Sequence, residues 1–586
     1  MSHSHLATTL ATWHGLAQQR AASHSEVGNK TLSNGLNGAH CPEGHALVFD
    51  AVGESTAFNG IARNGASQSV SQALHGFDKA RPAQLDKIDG RSLTIGKVVA
   101  IARYKVTPEL STEPQLREKV DACVQSLNRK LERGESMYGI NTGFGGSADT
   151  RTAHVKELQL SLVTGQQIGI LPVASPDEGI ADSLPISDEP LSQPEAWLAT
   201  HHADEEHVLA SDDSGTLRQD RYCWRTAAQW VGPQLEDLQA ATQAVETELN
   251  TTTDNPLLDA DTDKMYHGGN FQAQAITNAM EKTRLSLALL GKMQFAQTAE
   301  LVDPAKNRGL PANLSAGDVS LDFGFKAVDI ATAAVCSELQ ALASPVATHV
   351  QSAELGNQAL NSLALISGRQ TVRSIECLSQ LFAWSLYMIT QAFDLRALQR
   401  AHLDVLRDHL KSSLKASFGL WITDTDLNTL VPRIYAKVTL RMDEGAHRPM
   451  LERLDEAYRS ATQELVQHLA TSPSVASGKA LQALVDWRES SVHQMEKAYY
   501  AQVQQMHEQP YGCHASPLLS PLTRRIYEYI RKDLNVPVMG KQCFWMYQGE
   551  GGKLGESMGN QASRIYRAIR NGDLYQLIAD VAQKLE

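Results

Sequence analysis

The sequence predicts an all-α protein built on long packed helices. Apolar residues recur at steps of three and four through most of the chain after Gln219. One stretch, residues 343–410, reads as nearly continuous helix, amphipathic at first and then apolar on most sides. The period-two alternation of a half-buried strand is scarce throughout.

Taken in order, residues 1–85 are rich in Ser, Asn, Gly, Ala and His without sustained periodicity, and read as a mobile N-terminal arm. Order is expected from about Leu85, where Asp89-Gly90 gives a turn before an apolar stretch. From Pro114, the residues Leu116, Val120, Val124, Leu127 and Leu131 mark a helix face, and Gly134 supplies a C-terminal stop. Between Val173 and Leu217 stand eleven acids and no Lys or Arg, with Pro176, Pro185, Pro190 and Pro194 among few apolar anchors, which predicts a loop. Ile276, Met280, Thr283, Leu287 and Leu290 then mark one long helix. The expected organisation is an arm (1–85), an N-terminal portion (86–172), an acidic linker (173–217), a central helical core (218–410), a more polar lobe (411–517) and a C-terminal return to the core (518–586).

Composition narrows the function. A formal net charge of −13 argues against nucleic acid or an anionic membrane as the main partner. No apolar run approaches the roughly 18 residues of a membrane span. The seven cysteines are widely and irregularly spaced with no Cys-x-x-Cys pair, so neither a zinc site nor a disulfide framework is indicated, and a reducing cytoplasm is the expected home.

Three strings carry candidate chemistry. In Tyr138-Gly139-Ile140-Asn141-Thr142-Gly143, glycines can bring backbone close to a ligand and leave Tyr138 free to face a cavity, although a plain Gly-rich turn reads the same way. In Leu217-Arg218-Gln219-Asp220-Arg221-Tyr222-Cys223-Trp224-Arg225, guanidinium groups could hold a carboxylate with paired hydrogen bonds; a solvated helix start is the plain alternative. In the third, Asp254-Asn255-Pro256 signals a turn and His267-Gly268-Gly269-Asn270-Phe271 a hinged helix entry, with Asn255 able to bond a ligand or merely cap. Lys326 and Glu354 sit among apolar residues, where burial is costly unless they are paired or functional.

In this order, "YGINTGFGGSADTRT", "LRQDRYCWRT", "TTDNPLLD", "HGGNFQ", "FKAVDIATAAVCSEL" and "QSAELGNQALNSLALISGR" resemble the successive signature blocks of the phenylalanine ammonia-lyases, closest to the fungal branch. The likeness runs from about residue 85 to the C-terminus. It implies a long helical bundle of the ammonia-lyase/fumarase-like type and non-oxidative removal of ammonia from an aromatic amino acid, phenylalanine before tyrosine, to give cinnamate, a phenylpropanoid or benzoate-type unit. By the resemblance, Tyr138 takes the β-proton and Arg225 clamps the carboxylate. Gln219, Tyr222, Asn255 and Phe271 line the site; Lys326, Glu354, Asn357 and Gln358 complete its polar network. It also implies a homotetramer whose sites draw on several chains, and no external cofactor. The electron sink is a methylidene-imidazolone ring made by cyclisation of an internal Ala-Ser-Gly.

Two departures stand out. After Gly169-Ile170-Leu171-Pro172 the chain enters the acidic stretch directly, and the long segment that bears Ala-Ser-Gly in the family is missing. Ala476-Ser477-Gly478 lies in a polar C-terminal region without the Asp-Leu that follows in the family, and Ser315-Ala316-Gly317 is in the wrong order. Second, Gly165-Gln166 stands where fungal relatives carry His-Gln; loss of the imidazole removes a donor to a tyrosine hydroxyl and points to phenylalanine. A lyase whose sequence has lost a block is the first expectation. A non-catalytic subunit pairing with an intact homologue is the second, and different chemistry in the retained pocket the third.

Overall fold

The computed structural model describes residues 87–102, 106–143, 150–166, 221–470, 478–540 and 557–584. The 1–85 arm, the 173–217 linker, Gln219 and Ser477 fall outside these residues.

The described chain is helical, as the periodicity predicts. Its elements are α1 (Ile95–Ala102), α2 (Pro114–Glu132), α3 (Val155–Gln166), a single turn (Tyr222–Arg225) and α4 (Ala227–Leu249). After a short antiparallel hairpin, β1 (Leu257–Asp259) and β2 (Lys264–Tyr266), come α5 (Gln274–Val302), α6 (Lys326–Leu342) and α7 (Ala364–Phe418). Then follow α8 (Asp424–Glu444), α9 (Met450–Ala470), α10 (Gly478–Glu508), α11 (Pro521–Glu528), α12 (Met558–Asn571) and α13 (Asp573–Lys584).

Local signals place several boundaries. Pro114 sits in the first turn of α2, where its missing N–H costs nothing, and Gly134 takes φ +68° just beyond the helix, donating to Leu131 O. Thr423 caps α8 by accepting from Asp426 N at 3.2 Å, and Asp424 and Asp426 add negative charge to that end. The sequence of α7 contains no proline and one glycine, Gly368, so nothing interrupts its 55 residues, a rod of about 80 Å at 1.5 Å per residue.

This rod is the spine. It packs on α5, α6, α8, α10 and α12, and α4 packs on α5. Leu287, Leu290 and Met293 of α5, Cys336 and Leu339 of α6 and Cys377, Leu378 and Leu381 of α7 form one core cluster. Leu406, Leu410, Leu414 and Phe418 of α7 join Ile434, Leu454, Tyr458 and Trp487 in a second, larger one. The C-terminal return is fastened by a buried ion pair. Arg531 donates to Asp394 Oδ2 from Nη2 at 2.7 Å and Nε at 3.0 Å, and to the carbonyls of Val536 and Pro537, while Tyr527 OH donates to Asp394 Oδ1.

The helical stretch read as continuous over 343–410 is corrected at its start. Residues 343–363 form a loop with two single 3-10 turns, and α7 begins only at Ala364. The stripe on α2 forms a helix but does not become a buried face: Val120 is 63 % and Val124 50 % exposed. Trp230, Leu285, Ile330, Leu365 and Val372 on α4 to α7 are also more than half exposed, leaving apolar surface that the other described residues do not cover.

One substitution and a titration probe this architecture. Asp394→Ala strands the Arg531 guanidinium without its counter-charge and is expected to cost about 3–5 kcal/mol, read as a lowered urea midpoint. Burial holds His402 on α7 down to about 4 and also lowers His409 on α7 and His507 on α10. These groups are neutral in the fold but bind protons when unfolded, so stability is lost as pH falls below about 6.5 towards 4. His402 alone contributes on the order of 3 kcal/mol of that loss, measurable as the unfolding midpoint against pH.

Candidate functional site

The Tyr138 loop follows α2 and is braced by its own side chains. Asn141 accepts from Met137 N at 2.8 Å and donates to Glu135 O at 2.8 Å. Gly139 takes φ +69°, donates to Thr142 Oγ1 and accepts from Gln159 of α3 at 2.7 Å. Tyr138 is half-buried there. The same helix carries the β-hairpin: Ser126 bonds Asp263 Oδ1 at 2.6 Å, and the nearly buried Lys130 donates to Asp263 O at 2.9 Å. The turn before β1 presents Asn255, whose Oδ1 is buried and accepts no hydrogen bond from the described residues. One helix thus supports both the Tyr138 loop and the Asn255 turn.

Tyr222 and Arg225 lie on the short turn before α4. Tyr222 is 60 % exposed, and the Arg225 guanidinium stacks 5.1 Å from its ring centroid. Between them, the Cys223 thiol is pushed up to about 12 by burial and by the neighbouring Glu300 carboxylate, so it offers no thiolate.

A cavity of about 1000 Å³ lies between the start of α5, the 343–363 loop and the first turn of α7. Phe271 and Gln358 line it, together with Gln272, His349, Gln351 and Asn361. Its described wall carries no Asp, Glu, Lys or Arg, so it suits an aromatic or amphipathic guest held by amide and hydroxyl groups. Beside it, Ala353 and Gln358 exchange backbone bonds of 2.8 and 3.2 Å, closing a turn in which Asn357 donates to Glu354 at 3.4 Å. Glu354, Leu355 and Gly356 all have positive φ, a strained arrangement for the first two.

The structure therefore gathers Phe271 and Gln358 at one cavity, with Glu354 and Asn357 on the adjoining turn, and Tyr222 with Arg225 in a separate stack. Tyr138, Tyr222, Arg225, Asn255 and Lys326 do not line that cavity. Gly165 and Gln166 end α3. Lys326 and Glu354 are corrected: neither is buried. Lys326 opens α6 exposed, 5.4 Å from the Phe323 ring centroid, and Glu354 is exposed on its turn. Among the described residues no cluster of His, Cys, Asp or Glu is placed to hold a metal, and no helix is long and apolar enough to cross a membrane.

Sequence reasoning missed what shapes the cavity. Arg284 of α5 is fully buried and donates to Leu342 O (2.8 Å), Ser344 O (3.3 Å), and both O and Oγ of Ser367 (3.0 and 2.6 Å). Glu281 Oε1 accepts from Val346 N and Ala347 N at 2.7 and 2.9 Å. The available signal was an i, i+3 charge pair, Glu281 and Arg284, just before the apolar run Leu285–Leu290 of the same helix.

The aromatic amino acid lyase family model matches residues 93–181 and 192–412, more than half of the chain. The chain belongs to the aromatic amino acid lyase family. Phenylalanine ammonia-lyase of Mycosarcoma maydis is 36 % identical over 686 aligned positions, covering 85 % of this chain and 94 % of that protein. Phenylalanine ammonia-lyase 2 of Pleurotus ostreatus is 30 % identical, covering 86 % and 91 %. The crystal structure of phenylalanine ammonia-lyase from Rhodosporidium toruloides superposes with a TM-score of 0.58 at 36 % identity, over 62 % of this chain and 55 % of that one. Since 85 % of 586 residues is about 500, an alignment of 686 positions leaves roughly 190 positions of the Mycosarcoma lyase with no residue opposite them. The break between the two matched stretches, residues 182–191, falls inside the acidic segment.

If Arg284 shapes the cavity, Arg284→Met frees the three carbonyls it holds. It is expected to cost about 3 kcal/mol and to speed amide hydrogen exchange over residues 342–349, while exchange in α8 to α10 stays unchanged.

Proposed function

We propose that this lyase belongs to the branch that converts L-phenylalanine to trans-cinnamate and ammonia, and that the polypeptide with this sequence does not complete the reaction alone. The observation that carries the reading is the shortfall of this chain against a relative. Roughly 190 positions of a close relative have no counterpart here, yet every signature string on either side of the acidic stretch is retained. A single lost block fits that pattern; gradual decay does not.

The family reaction needs an electron sink that ordinary side chains do not supply, and the methylidene-imidazolone ring is that sink. This chain's residues do not fit its formation. The Ala-Ser-Gly order occurs once, at Ala476-Ser477-Gly478, and Gly478 is the first residue of helix α10. The buried turn at Ser315 and Ala316 has the wrong residue order and is engaged by Asp322, which bonds both Ser315 Oγ and Ala316 N. What remains is the grip on the substrate. In this reading Arg225 pairs with the carboxylate, Phe271 and Gln358 flank the ring-bearing part of the amino acid in their cavity, Asn255 offers its unsatisfied oxygen, and Tyr138 takes the β-proton. Gln219 and Tyr222 line the site, while Lys326, Glu354 and Asn357 complete its polar network. Gly165 and Gln166, lacking the imidazole, favour phenylalanine over tyrosine.

Those of these groups that lie among the described residues are dispersed, and apolar side chains such as Ile330 and Leu365 stand exposed on the same helix as Lys326 and on the cavity rim. A site assembled between subunits accounts for both facts, either in a homotetramer or in a heteromer with an intact homologue. The second arrangement makes this chain a non-catalytic subunit, and the uncovered apolar faces favour it over an isolated monomer. The free thiols of all five described cysteines are compatible with a cytoplasmic location.

Recombinant protein of verified mass is expected to release no cinnamate from phenylalanine. Measurable release by that protein would overturn the reading. Sequencing the transcript across codons 165 to 220 separates its two forms: an in-frame block there makes the native protein a complete lyase, and its absence leaves the non-catalytic subunit.

A further inference from the structure

A second, far smaller pocket lies where the spine α7 meets α8, α9, α10 and the loop bearing Gly309 and Pro311. Its volume is about 20 Å³, room for one water-sized molecule. Most of its wall is aliphatic, but five polar side chains reach it: His402 and Gln399 from α7, Asp443 from α8, Arg453 from α9 and Tyr499 from α10.

His402 is the telling residue. It is 2 % exposed, and apart from the Gln502 amide beside it neither ring nitrogen meets a hydrogen-bond partner among the described residues. A neutral imidazole has one N–H donor and one bare acceptor, and leaving both unmet in an interior is strongly disfavoured. Gln502 lies beside the ring and its Oε1 also lacks a partner, so it can serve the N–H. Tyr499 meets the ring edge to face at 5.4 Å between centroids, a contact that satisfies neither nitrogen. One nitrogen remains for whatever fills the pocket.

Charge decides what that is. Arg453 brings one positive charge and Asp443 one negative, and both are already engaged: Arg453 with Gly309 O at 3.0 Å and with Met442 O, Asp443 with Gln399 at 3.0 Å. The wall is thus balanced and attracts neither an anion nor a cation. An apolar guest would leave His402 unsatisfied.

We propose that this pocket is a built hydration site for one ordered, neutral water that donates to His402 and is shared with Asp443 and Tyr499. A pocket this small lets a single occupant touch every wall. The water then forms a polar joint between the spine and the α8–α10 lobe, three of whose helices contribute to its wall.

Crystals of the full chain, native and soaked separately in sodium bromide and rubidium chloride, test this. The expected result is one peak about 3 Å from a His402 ring nitrogen that refines as water and gives no anomalous signal in either soak. A bromide or rubidium peak would make it an ion site and overturn the proposal. So would an empty pocket in maps that reveal other buried waters. In solution, Leu403→Met extends a side chain of the wall into the space. Displacing a bound water lowers the thermal midpoint, whereas an unchanged or raised midpoint means the pocket was dry and contradicts the proposal.

Discussion

One buried guanidinium organises the walls of the cavity shared by Phe271 and Gln358. Arg284 has no solvent contact and converts its donors into bonds with the end of α6, the turn after it and the first turn of α7. Three chain segments distant in sequence are held at fixed separation because a desolvated guanidinium tolerates few unmade bonds. Glu281, one turn earlier on the same helix, holds the backbone at Val346 and Ala347 and stands 3.9 Å from Arg284. The cavity that Phe271 and Gln358 share is the space these bonds leave open. Its position is therefore set by α5, a rigid helix, rather than by the irregular loop that forms most of its wall.

The same economy governs the rest of the chain. A single uninterrupted helix, Ala364–Phe418, touches α5, α6, α8, α10 and α12, so the α8–α10 region and the cavity wall share one backbone. Asp394 on that helix receives Arg531 and Tyr527 from the C-terminal return and closes the structure on itself. What this framework does not do is cover itself. The exposed apolar residues of α2 and of α4 to α7 have no partner among the described residues. A lost block and an intersubunit site both leave such faces bare in one subunit.

Much of this was legible in the sequence, for reasons that differ by element. The limits of α2 follow from Pro114 and Gly134, local signals that depend on nothing distant. The long helices α5 and α7 follow from apolar spacing. The start of α7 did not, because residues 343–363 contain enough apolar residues to mimic helical spacing, while positive φ at Glu354, Leu355 and Leu363 breaks the helix in a way that periodicity cannot register. Lys326 and Glu354 have apolar sequence neighbours, yet one opens a helix and the other sits on a turn, so both reach solvent. Val120 and Val124 show the converse limit: spacing identifies a face, but not whether anything packs against it. Family blocks pointed to Phe271 and Gln358, which the fold brings to one cavity. They could not indicate Arg284, whose role depends on carbonyls more than fifty residues away.

The proposed function turns on one chemical point, whether this chain, with residues proposed to hold an aromatic amino acid, forms the electrophile that would expel its amine. Intact mass spectrometry of the purified protein, with peptide mapping across residues 471–480 and 313–319, addresses it most directly. The account predicts the mass of the unmodified sequence and unmodified peptides at both turns. A mass deficit from cyclisation and dehydration at either place would contradict it.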